Sequence, residues 1–117
     1  MGTTYADITL IANGNRQKKR LLVDTGASLS WIRATTLKAI GIKAIQERSF
    51  ETIEGRRIKR PLGEVQIEFE GQRVHTLVVF AGAHEGEVLG LHALEGLMVE
   101  VDPNRRRLKP TKILKAY

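Results

Sequence analysis

The chain has 117 residues, with 19 Lys and Arg against 13 Asp and Glu and a formal net charge of +6. This length suits one compact domain, expected over 1–117, and a hydrophobic content of 42% supplies a core, which together exclude a disordered chain and a multi-lobed enzyme. No apolar run approaches the roughly 20 residues of a membrane span, and the lack of cysteine excludes disulfides, thiolate metal sites and cysteine catalysis.

The first seven residues lack the basic-then-apolar layout of a secretory signal, and with no cysteine an intracellular, cytoplasmic location is expected. Residues 4–11 alternate, with Ala6, Ile8 and Leu10 on one face, and predict a strand. Asn13-Gly14-Asn15 predicts a tight turn into a second strand over 17–23, which ends in the apolar run Leu21-Leu22-Val23. A short strand is expected over 30–33 and a brief helix over 35–40, stopped by Gly41. A strand over 43–53, a turn at Glu54-Gly55 and a returning arm over 57–62 follow, with Pro61 marking an edge or the end of a ladder.

Residues 64–69 alternate cleanly, Val65, Ile67 and Phe69 against Glu64, Gln66 and Glu68. Glu70-Gly71 turns that strand into a partner over 72–80. A glycine-bearing loop over 81–87 leads to the apolar pair Val88-Leu89, then Gly90 and one or two helical turns over 91–97. A last hairpin is expected from 98–101 and 106–108 around Asp102-Pro103-Asn104, and residues 111–117 carry no clear pattern. The segments 21–41 and 77–97 echo each other: apolar strand, glycine-bearing loop, short helix. Such an echo suits approximate two-fold symmetry within the chain.

The basic residues cluster as Arg16, Lys18, Lys19, Arg20; Arg56, Arg57, Lys59, Arg60; and Arg105, Arg106, Arg107, Lys109. Clusters of this kind bind phosphate backbones or simply guard strand edges against aggregation. The aromatics, Tyr5, Trp31, Phe50, Phe69, Phe80 and Tyr117, are scattered rather than interleaved with them. That disfavours nucleic acid as a partner, although the clusters keep it open. His75, His84 and His92 are not at metal-ligand spacing, no phosphate-binding glycine loop is present, and neither metal nor cofactor is implied.

The informative stretch is Leu21-Leu22-Val23-Asp24-Thr25-Gly26-Ala27-Ser28. Asp-Thr-Gly arises by chance in about a few per cent of chains this long. Here an apolar strand, read as buried, delivers the aspartate into a turn of small residues, where an unpaired carboxylate is costly unless it is solvated, shares a proton or is used. This segment resembles the active-site loop of the retropepsin-like aspartic proteases, and Val88-Leu89-Gly90 before a short helix resembles that family's second apolar-apolar-Gly element. The resemblance spans about 8–108 and places a substrate-covering flap at 50–61. It departs from the viral members in the flap, where Arg56-Arg57 replaces a glycine-rich tip, and at Leu91, where they commonly carry Arg.

The resemblance implies an all-β fold, a closed-barrel acid-protease half with one or two short helices, and an aspartic endopeptidase acting on polypeptides. Two carboxylates about 3 Å apart would share one proton and activate a water. Of the three aspartates, Asp7 and Asp102 lie in no matching loop, so the second catalytic group is expected to be Asp24 of another copy in a homodimer. Carried over by the resemblance, Thr25 bonds across the dyad, Gly26 permits close approach, Ala27 lines the cleft and Ser28 bonds the outer carboxylate oxygen. Ile53, Glu54, Gly55, Arg56, Arg57 and Leu89 are the expected flap and substrate-binding residues, with Trp31 and Ile58 as further apolar pocket candidates. The basic flap suggests tolerance of acidic residues in a substrate. The rival reading is a non-catalytic binding module on the same scaffold, taking acidic peptides or nucleic acid.

Overall fold

The structure, a computed structural model, describes residues 2–117; Met1 of the expected domain lies outside the described residues. Two hairpins follow directly from their turn residues. Asn13 and Gly14 (φ 51° and 78°) connect β1 (Tyr5–Ala12) to β2 (Asn15–Val23), and Glu70 and Gly71 (φ 47° and 84°) connect β5 (Arg57–Phe69) to β6 (Gln72–Ala81). Positive φ at both central residues matches the twist of the flanking strands, so each turn sets its register, Ala12 opposite Asn15 and Phe69 opposite Gln72. The alternation then buries Ala6, Ile8 and Leu10 on one hairpin and Val65, Ile67 and Phe69 on the other.

The main sheet runs β1-β2-β7-β3-β6-β5-β4, with β3 at Ser30–Arg33, β4 at Gln46–Glu51 and β7 at Val88–Leu89. A further pairing, Leu10 opposite Ile67, joins β1 to β5 and closes six strands into a ring, leaving β4 as an outer strand. Helices α1 (Ala34–Ala39) and α2 (Leu91–Gly96) bury Leu37, Ala93 and Leu94 in the ring's core beside Leu21, Ile32 and Val78. A separate hairpin of β8 (Val99–Asp102) and β9 (Arg107–Pro110) follows α2. The class is all-β, and among the described residues no helix is long and apolar enough to cross a membrane.

The sequence echo becomes topology. β2 pairs parallel with β7, β6 pairs parallel with β3, and β3 meets β7 antiparallel at Trp31 opposite Val88. Exchanging β2 and β3 for β6 and β7 therefore maps one parallel pair onto the other. Among the boundaries that differ from the sequence reading, three have a local cause. The two segments expected over 57–62 and 64–69 are one 13-residue strand, because Gly63 passes without a break where a Cβ would meet Ile42 Cγ2 at 2.7 Å. Pro61 does mark the end of a ladder: β6 pairs with β5 only from Leu62 onward. Strand β4 begins at Gln46 rather than residue 43, since Ile42 is still held to the end of α1 through Leu37. Strand β9 begins one residue late because Arg106 (φ 52°) belongs to the turn.

Gly90 follows β7 where two backbones touch. A Cβ there would lie 2.5 Å from the Leu29 carbonyl carbon and oxygen, neither of which can rotate away. Gly86, four residues earlier, has open space around it. Gly90→Ala should lower stability by about 3 kcal/mol or more, and Gly86→Ala should be nearly neutral. Denaturant midpoints of the two variants check this.

Candidate active site

Asp24 is the first residue beyond β2, and its loop is built from backbone hydrogen bonds to the segment after β7. Asp24 N–H donates to the Leu89 carbonyl (3.0 Å), Leu91 N–H to Ala27 (2.8 Å) and His92 N–H to Ser28 (3.0 Å). Beneath them the buried Ser30 Oγ accepts Gly90 N–H at 2.9 Å. Within the loop, Gly26 N–H donates to Asp24 Oδ1 at 2.9 Å and Ala27 N–H to the Asp24 carbonyl at 3.2 Å. A Cβ on Gly26 would crowd that same Oδ1 at 3.2 Å. One carboxylate oxygen is thus aimed by a backbone donor.

The expected burial of this strand end is only partly met. Leu21 is fully buried, Leu22 and Val23 are half-buried, and Asp24, Thr25, Gly26 and Ser28 are exposed. The chain alone does not desolvate Asp24; it leaves the carboxylate at an open face. Among the described residues no hydrogen bond joins the Ser28 hydroxyl to Asp24, and Ser28 serves the loop through its carbonyl instead.

The β4–β5 hairpin stands over this loop. A cleft of about 530 Å³ is lined by Asp24, Gly26, Ala27, Ser28, Leu29 and Trp31 on one side and by residues 49–53 of the hairpin on the other. Phe50 meets Trp31 edge-on, with ring centroids 5.1 Å apart. The hairpin tip is closed by Thr52 N–H to Arg56 O and Gly55 N–H to Thr52 O, with Gly55 at φ 86°. The structure thus brings Trp31 and Ile53 to the cleft, Ile53 wholly exposed at 105%. Glu54, Gly55, Arg56 and Arg57 are exposed at and beside the tip without lining the cleft. Ile58 lies opposite Phe50 and is half-buried. Leu89 is fully buried in the core beneath the loop, because β7 is an interior strand of the ring; it supports Asp24 through its carbonyl and does not reach the cleft.

The ionisable residues along the cleft's lining are Asp24 and Glu51, and the arginines of the hairpin are not among the lining residues. Phe50 pairs with Ile58 and Glu51 with Arg57 across the hairpin, so the Phe50 face meets Trp31 and the Glu51–Arg57 pair lies on the other face. The sequence reading did not single out Ser30 or Ser49, and it covered Glu51 and Thr52 only as part of the 50–61 hairpin. Ser30 carried a signal, a lone hydroxyl in an apolar strand facing the Gly90 turn. The three histidines are not brought together, and among the described residues no cluster of metal-ligating side chains forms.

The loop before β7 is held by carboxylates. Glu87 accepts Arg33 N–H (2.9 Å) and Lys19 Nζ (3.0 Å). Burial alone would raise its pKa, but those two donors outweigh it and the carboxyl titrates below its ordinary value. A carboxylate lowered on folding stabilises the fold above its unfolded pKa and loses that effect as pH falls through the folded one. The stability deficit of Glu87→Gln relative to the native chain should therefore be present at neutral pH and shrink as pH falls below about 4.5. Urea unfolding across that range measures it.

The family model described as aspartyl protease matches residues 8–93. Among curated proteins none matches the chain. Among solved structures, EIAV protease complexed with the inhibitor HBY-793 is similar with a TM-score of 0.67 at 18% identity, over 86% of this chain and 93% of that one. At that identity the likeness is one of fold.

Proposed function

We propose, because the chain belongs to the aspartyl protease family, that two copies of it assemble an aspartic endopeptidase with one Asp24 from each. The observation that carries the reading is the placement of Asp24. Its carboxylate lies at the floor of a cleft under a hairpin, aimed by Gly26 N–H, and Asp24 is exposed in the single chain. The chain holds one Asp-Thr-Gly, and a second copy completes the pair by symmetry.

In the assembled pair, like charges at close range do not both ionise, so one proton is shared. The ionised Asp24 takes a proton from a water, whose oxygen bonds to the scissile carbonyl carbon. The protonated Asp24 gives its proton to the carbonyl oxygen. Collapse of the tetrahedral intermediate breaks the C–N bond as the first Asp24 passes the water's proton to the amide nitrogen and a hydroxyl of the intermediate returns a proton to the second, which restores the shared proton. The β4–β5 hairpin covers the peptide, and Trp31, Phe50 and Ile53 meet its apolar side chains. Exposed Tyr5, Leu91, Met98, Ile113, Leu114 and Tyr117 supply apolar surface for the second copy. Leu91 adjoins the catalytic loop through its bond to Ala27, which supports placing that surface beside the dyad.

The wild-type chain should cleave a panel of unstructured peptides, and Asp24→Asn should lose at least about a thousandfold in kcat/KM with its fold intact by circular dichroism. Equal cleavage by both proteins would refute the reading. Because one proton must sit on the pair, kcat/KM should fall on both sides of an optimum. A rate that stays level through the acid limb would contradict the shared proton.

A further inference from the structure

We propose that Glu85 is a positioning residue for the β4–β5 hairpin: its forked ion pair with Arg60 fixes the hairpin's root to the loop that carries β7, and so sets the hairpin over Asp24. The proposal rests on the reading above that this hairpin covers a peptide in the cleft.

The hairpin needs such an anchor. Strand β6 pairs with β5 from Leu62 to Phe69, and β4 pairs with β5 from Arg57 to Leu62. Beyond Leu62 the hairpin is therefore a two-stranded ribbon leaving the sheet, and Pro61 has no N–H with which to extend the β6 ladder. Two-stranded ribbons are marginal in water by themselves. Among the described residues, Phe50 and Arg60 tie it to the rest of the chain. Phe50 rests on Trp31 nearer the tip. At the root, Arg60 Nε donates to Glu85 Oε1 and Oε2 at 3.0 and 3.2 Å, and a terminal guanidinium nitrogen also donates to Oε2. A guanidinium fork on a carboxylate fixes a plane as well as a distance.

Glu85 is itself immobilised. Its Oε1 accepts Gly82 N–H at 2.7 Å, and its carbonyl accepts the Arg33 guanidinium at 3.1 Å. Two residues on, Glu87 ties the same loop to β2 and β3. The loop then enters β7, whose Leu89 carbonyl holds the Asp24 amide. The tether thus joins the hairpin and the floor of the cleft through one loop. Neither Arg60 nor Glu85 lines the cleft, so the pair acts on position alone.

The test compares Glu85→Gln, Arg60→Gln, the double variant and Arg60→Lys with the native chain, using Glu68→Gln as control. Glu68 pairs with Arg16 and Arg73 near the other end of β5. Amide hydrogen exchange is read at Thr52, Gly55 and the β4 amides, with β6 core amides as internal reference, and kcat and KM are measured on one peptide. Each Gln variant should speed hairpin exchange about tenfold and raise KM by a similar factor, with kcat within about twofold. The double variant should be no worse than the worse single one, and Arg60→Lys should recover part of the loss. Unchanged hairpin exchange in the folded variants, additive single effects, or equal changes in Glu68→Gln would overturn the proposal. If the native chain cleaves nothing, the covering role fails as a separate result, and exchange alone decides the tether.

Discussion

The insertion of Val88–Leu89 between β2 and β3 is the constraint on which the rest of the site depends. This two-residue strand runs parallel to one neighbour and antiparallel to the other. Its last carbonyl accepts the Asp24 amide, and the glycine after it lets the Leu29 backbone approach to a distance that no side chain allows. Ser30 Oγ satisfies the Gly90 N–H that this approach buries, and the next two amides lock the 24–28 loop from outside. Backbone bonds of its own loop and of the β7 segment therefore hold Asp24, with Ser30 Oγ beneath them, and among the described residues the hairpin above makes no hydrogen bond to it.

The floor and the roof of the cleft are built differently. Neutral backbone bonds and a closed ring of strands build the floor. The roof is a ribbon that, among the described residues, an aromatic contact and an ion pair attach to the rest of the chain. On the proposed reading, this division suits a site that admits an extended chain without disturbing Asp24. It also gives the net charge of +6 partial meaning. Lys19 and Arg60 belong to the internal scaffold of the loop before β7, whereas Arg56, Arg57 and Arg105–Arg107 remain exposed.

Much of this was legible in the sequence, for a physical reason. Asn13-Gly14 and Glu70-Gly71 act through local backbone preference, and period-2 alternation acts through burial, so both hairpins and their faces could be read directly. The Asp-Thr-Gly loop and Val88-Leu89-Gly90 were visible as motifs because small residues are required where backbones meet. What stayed hidden depends on long-range placement. The hairpin's orientation turns Phe50 toward Trp31 and leaves the Glu51–Arg57 pair on the other face. Leu89 lies beneath the loop rather than in the cleft, because β7 is interior. The Arg60–Glu85 pair spans 25 positions with no local signal. Asp24's exposure is a property of one chain considered alone, and no strand pattern reports it.

The central claim is that one chain is half of a catalytic site. Subunit mixing tests it most directly. Wild-type and Asp24→Asn chains are co-folded at varied ratios with total protein constant, and peptide cleavage is measured. A dyad that needs Asp24 from both copies predicts activity falling as the square of the wild-type fraction, to about one quarter in an equal mixture. A linear fall, to about half, would mean that each chain works alone and would contradict the account.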